Sequence, residues 1–178
     1  MKDRVQHRTV LVRAPHSYLA RAKATRDTGG LRQFATSVEN RLEQLARGRS
    51  RLKKALEGAR SCALSAQAAA VRVSAVVANR SAILDGLRRL PAPTGQARTI
   101  VARLQVAIRR SITADRDYRA WLNAAAHAHA GCPPPRTKAL DAAGRADIRS
   151  TAAKQRFVAA FNALAQRERL RTWRADQF

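Results

Sequence analysis

Proline occurs at only three places in this chain: Pro15, the pair Pro91 and Pro93, and the run Pro133 to Pro135. Its missing N–H and its clash with the preceding turn exclude it from helix interiors. The proline-free stretches 16–90, 94–132 and 136–178 therefore outline long helices joined by short stops. The chain is also rich in alanine, with 38 residues, and alanine loses no side-chain entropy on entering a helix. These two features predict an all-α, antiparallel helical bundle of three to four long helices.

The apolar positions place the helices. Leu31, Phe34, Val38, Leu42, Leu45, Leu52 and Leu56 recur at three- and four-residue steps with one step of seven, the stripe of an amphipathic helix over about 31–60. Gly48 and Gly58 predict a break near one or the other. A second helix is predicted over about 66–90, with Ser65 as its N-cap and Val73, Val76, Val77, Ile83, Leu84, Leu87 and Leu90 on its apolar face. The connector Pro91 to Gly95 is short enough to join antiparallel neighbours. Thr94 then caps a third helix over about 95–129, carrying Ile100, Leu104, Ile108, Ile112, Tyr118 and Leu122. Thr137 caps a fourth over about 138–168, with Leu140, Ile148, Phe157, Val158, Phe161 and Leu164. Residues 1–30 are the least patterned: Pro15 interrupts them and Gly29-Gly30 ends whatever follows. They read as a basic, poorly organised N-terminal arm, leaving 31–178 as the bundle domain.

Charge is the other strong signal. The formal net charge is +23, carried by 29 arginines and 6 lysines against 12 acidic residues. Counting Lys and Arg minus Asp and Glu gives +10 over 1–60, +7 over 61–135 and +6 over 136–178. Such a field attracts nucleic acid, anionic lipid or other polyanions. It is spread along the whole chain rather than gathered in one tract, which is also how solvated helix faces look. No window comes near the ~20 apolar residues that cross a bilayer. Met1 to Pro15 lacks the continuous apolar core of a signal peptide. Taken literally, the chain is cytoplasmic.

Motifs of known chemistry are scarce. A Gly-rich phosphate loop, a GxSxG elbow and a HExxH pair are missing, as are zinc-finger, helix-turn-helix and RNA-binding-sheet signatures. His127, His129 and Cys132 cluster, but residues two apart on a helix point away from each other and no second cluster completes a ligand set. Neither a metal site nor a cofactor is expected, and no residue is assigned a catalytic role. Trp121, Tyr118, Trp173 and Phe178 read as plugs at the ends of an alanine-rich bundle, or as platforms on which single-stranded bases stack.

Cys62 and Cys132 are the sharpest specific feature. If the second and third helices form a hairpin about residue 93, both cysteines fall at one end of it and a disulfide is within reach. The alternative is two unrelated thiols in a reducing cytoplasm. Asn79, Arg80, Asp115 and Lys154 lie close to the apolar stripes. They form either a buried polar layer that fixes register, with Asp115 facing Lys154, or edge residues whose tips snorkel outward.

Several short pieces together carry a resemblance. They are Ser61-Cys62-Ala63-Leu64-Ser65, Asn79-Arg80 before Ile83-Leu84, and Ser111 to Arg116 leading into Tyr118-Arg119-Ala120-Trp121-Leu122. Cys132 before the prolines, Ala153-Lys154 before Phe157, Ala160-Phe161-Asn162 and Trp173 to Phe178 continue it. On these motifs, residues 61–178 resemble an uncharacterised family of actinobacterial helical-bundle proteins. The resemblance implies a helical bundle with a paired-cysteine spacing, usually behind an N-terminal membrane anchor or export signal. It implies no activity, and this sequence departs from it by lacking the anchor. The resulting expectation is a non-enzymatic interaction or structural domain, extracytoplasmic or membrane-associated, with a basic surface for an anionic polymer, membrane surface or protein. The competing expectation is a cytoplasmic nucleic-acid-binding protein using arginine–phosphate contacts.

Overall fold

The computed structural model describes the backbone of residues 16–129 and 131–178, and the side chains of residues 29–129 and 131–178. Four α-helices follow one another: α1 His16–Arg60, α2 Ala66–Arg88, α3 Gly95–His127 and α4 Lys138–Arg167, with a short 3₁₀ turn at Ala175–Gln177. No strand occurs among the described residues. Consecutive helices pack on one another, α1 on α2, α2 on α3 and α3 on α4. The short connectors make neighbours antiparallel, as the proline spacing predicts.

The caps explain where the helices begin. Ser65 accepts a hydrogen bond from the Ala68 N–H (3.1 Å) and Thr94 one from the Ala97 N–H (3.1 Å). Each satisfies one of the orphan donors of a first turn. Thr137 holds the N-cap position of α4 without such a bond. At the other end of α4, Arg169 takes a left-handed backbone (φ 56°). The Leu170 N–H then reaches the Ala165 carbonyl and the Arg169 N–H the Gln166 carbonyl. This is the Schellman geometry, and it turns the segment 168–178 back along the bundle.

Three expectations are corrected. Residues 16–30 belong to α1, which passes through Gly29-Gly30 without a stop; residues 1–15 of the expected arm lie outside the described residues. Neither Gly48 nor Gly58 breaks α1. No described glycine has positive φ, and in a helical backbone a glycine costs only about 1 kcal/mol relative to alanine. Long Ala- and Arg-rich flanks offset that. Gly58 has a packing role instead: a Cβ there would lie 2.7 Å from Leu64 Cδ1, where the chain folds over the end of α1. The third correction is Ile148, which lies on the predicted stripe of α4 and is nevertheless 71% exposed.

The core has two parts. One gathers Phe34, Val38, Leu42 and Leu45 of α1 with Leu87, Ile100, Leu104, Ile108, Phe157, Phe161 and Leu164. Trp173 and Phe178 complete it. The other joins Leu52, Ala55 and Leu56 to Ala69, Ala70, Val73, Trp121 and Leu122. Trp121, Trp173 and Phe178 are buried in the core, whereas Tyr118 is only half-buried and lines a cleft. Trp121 Nε1 donates to the Pro135 carbonyl (2.9 Å), tying α3 to the proline turn. The Asn162 side chain clamps the Trp173 backbone at both its N–H (3.0 Å) and its carbonyl (2.9 Å).

Candidate functional site

The two features with chemical content are a buried polar layer and the basic exterior. The layer draws one side chain from each of α2, α3 and α4: Arg80, Asp115 and Lys154 are 2%, 0% and 2% exposed. Arg80 Nη1 donates to Asp115 Oδ2 at 2.5 Å. Lys154 Nζ donates to the main-chain oxygen of Phe178 and stands 5.3 Å from the centre of its ring. One turn earlier on α3 and α4, the Ser111 and Ser150 hydroxyls are 2.8 Å apart.

The expected pairing is thus corrected. Asp115 bonds Arg80 rather than Lys154, while Lys154 turns to Phe178. The α3–α4 register is fixed by the Ser111–Ser150 contact. On antiparallel helices Asp115 then lies one turn to one side of it and Lys154 one turn to the other, so the two bias each other's charge without facing each other. Arg80 of α2 faces Asp115 and reaches its carboxylate. Asn79 does not join the layer. It is half-buried, and its Oδ1 faces α1, 3.7 Å from where a Gly48 Cβ would be. Adjacent residues of a helix cannot both point into one layer.

Sequence reasoning missed Ser111, Ser150 and the Phe178 oxygen. The serines had a signal. Ser111 precedes Asp115 by four residues and Ser150 precedes Lys154 by four, the spacing that puts side chains on one helix face.

Burial dominates the electrostatics. Desolvation raises the pKa of the Asp115 carboxyl, opposed by the Arg80 guanidinium and Lys154. Desolvation pulls the Lys154 ammonium down from the usual 10.5 to about 7, with Arg80 and Arg49 adding to it and Asp147 and Asp115 opposing. Tyr118 is raised, first by burial and then by Asp147. Asp115 Oδ1 and Arg80 Nε have no partner among the described residues. With their tips closed off from solvent, these groups hold three helices in register and offer no face to a substrate.

Lys154 gives a pH signature. Between about pH 7 and pH 10.5 the unfolded chain holds a proton that the folded chain has released, so stability rises with pH. Below that window both states are protonated and the dependence vanishes. One proton of difference is a slope of up to about 1.4 kcal/mol per pH unit. The check is urea unfolding of the wild type and Lys154→Met from about pH 6 to about pH 10. The wild-type value should climb relative to the variant above neutrality. A constant difference would show that Lys154 stays charged when folded.

The exterior is basic almost everywhere. Apart from Arg80 and Lys154, every described lysine and arginine keeps some exposure. Four of them pair with a described carboxylate: Lys53 with Glu57, Arg88 with Asp85, Arg136 with Asp141 and Arg174 with Asp176. On the outer face between α2 and α3, a cleft of about 330 Å³ carries Arg88, Arg109 and Arg116 beside Thr113, with Asp85 its one acid. Exposed ion pairs of this sort contribute little to stability.

No group of three His, Cys, Asp or Glu side chains able to hold a metal occurs among the described residues. Cys132 is bonded to Cys62, with the sulfurs 2.12 Å and the Cα atoms 5.7 Å apart. No described helix is long and apolar enough to cross a membrane. Compared with protein-family models, curated proteins and solved structures, the chain matches none.

Proposed function

We propose that this chain is a non-enzymatic helical-bundle interaction domain that presents a basic surface to an anionic partner in an oxidising, extracytoplasmic compartment. The observation that carries the reading is the imbalance of pairing on the surface. Arginine after arginine is held on rigid helices with no carboxylate opposite, at a net charge of +23. Such an arrangement raises the local concentration of polyanions and speeds their capture. Guanidinium groups in the α2–α3 cleft supply the forked donors that sulfate, phosphate and carboxylate accept. The Cys62–Cys132 bond supports the compartment, because disulfides persist where thiols are not kept reduced.

Titration of a labelled heparin fragment against the protein at rising salt tests this. Log affinity should fall linearly with log salt, the mark of counterion release. Arg109→Glu with Arg116→Glu should lessen the slope by about two, one for each arginine–anion pairing removed. Binding indifferent to salt would defeat the proposal. A DNA duplex that outcompetes heparin of equal charge would move the function to nucleic acid.

A further inference from the structure

The seam between α1 and α4 is closed along one half and open along the other. In the closed half the segment 168–178 lies against both helices. Its Arg171 N–H donates to Glu39 of α1 (3.2 Å), its Trp173 backbone is clamped by Asn162 of α4, and Phe178 packs on Phe157. In the open half no part of the described chain plays that role. Its walls are α1 from Arg49 to Arg60 and α4 from Leu140 to Ile148, with Tyr118 of α3 between them. Two clefts of about 230 and 660 Å³ meet there and share Arg60 and Tyr118. The α1 wall rises about 16 Å over these residues, three helical turns.

The lining says what would cover it. Leu52, Leu56 and Leu140 give it an apolar floor. Ile148, 71% exposed, stands with Leu140 and Gly144 at four-residue spacing on the side of α4 turned away from the buried Ser150 and Phe157. On the rim, Lys53 and Arg136 are already paired with Glu57 and Asp141. Arg49, Arg60 and Arg145 make no ion pair with a described carboxylate. We infer that this open half-seam docks an acidic amphipathic helix from a partner protein. The helix lays an apolar face over Ile148 and the leucines and sets its carboxylates against Arg49, Arg60 and Arg145. Two antiparallel helices with an unfilled groove accept a third by interlocking side-chain ridges, the helix-in-groove mode of recognition. A flexible polyanion would gain nothing from the apolar floor. Asp147, beside Tyr118, excludes a carboxylate at mid-groove and so restricts the acidic residues to the edges. This inference rests on the basic-surface reading and names its partner class.

The test is selection of a displayed random 16-residue peptide library on the oxidised full chain. Enriched peptides should carry Leu or Phe at three- and four-residue spacing, flanked by Asp or Glu. Synthetic copies should bind Ile148→Asp, and the pair Arg60→Glu with Arg145→Glu, about tenfold or more weakly, while an equal charge change at Arg72→Glu with Arg98→Glu costs less than about twofold. All these positions are exposed, so thermal unfolding should confirm that each variant folds. Failure to enrich, enrichment of peptides without acids, or groove variants that bind normally would each overturn the proposal. So would a dimer of the wild type abolished by Ile148→Asp, which would make the occupant a second copy. If heparin still binds with its salt slope while no peptide does, only this inference falls. If peptides bind and heparin does not, the groove stands and the polyanion surface falls.

Discussion

Asp115→Ala is expected to cost about 3–5 kcal/mol of folding stability, the range for removing one partner of a buried ion pair. The carboxylate is fully buried and takes the Arg80 guanidinium at 2.5 Å. Without it, the Arg80 guanidinium stays buried with no carboxylate to pair with. Arg80→Met should cost less. Burial already raises the Asp115 pKa, so the orphaned carboxyl can neutralise itself by taking a proton, and Lys154 stays close by. The double change Arg80→Met with Asp115→Leu should recover much of the loss, because desolvating two charges consumes most of what their attraction supplies. Urea unfolding at pH 7 of the wild type, Asp115→Leu, Arg80→Met and their combination closes the cycle and gives the coupling energy. Additive losses would show that the two groups act separately and that the layer does not work as a unit.

Loss of the disulfide is the other large effect. The bond joins residues 70 apart and encloses all of α2 and α3. Closing a loop of that length removes unfolded-state entropy worth about 4 kcal/mol on the chain-entropy model. For a chain of this size that is a fall of roughly 10 °C in the thermal midpoint. Thermal unfolding with and without a phosphine reductant, alongside Cys62→Ala with Cys132→Ala, measures it. The reduced wild type and the double variant should melt together, both below the oxidised protein. Equal midpoints in all three would mean that the bond does not constrain the unfolded chain.

How much was legible depended on the kind of information each feature needs. Helix number and limits were readable because capping and proline exclusion act within a few residues; α2, α3 and α4 end within two residues of their expected limits. The approach of Cys62 and Cys132 was readable because a hairpin with one short connector has little choice of register. Glycine was over-read: Gly29-Gly30 and Gly48 look like stops in isolation, but the cost of each is small against the helix on either side.

What the sequence determined by itself is therefore the all-α class, the order of the helices, their caps and the overwhelmingly positive exterior. Each follows from local backbone preference or from composition, which do not wait on the fold. Tertiary structure alone decided which charges meet. Arg80, Asp115 and Lys154 could each be placed on an apolar stripe, but the choice of Arg80 for Asp115 and of Phe178 for Lys154 depends on how three helices and the final segment sit together. Ile148 was over-read from its apolarity: nine residues before Phe157, it falls about half a revolution round α4 from the buried face. The seam between α1 and α4 has no trace in either pattern. It exists because one short segment fills only half of a gap that two long helices leave between them.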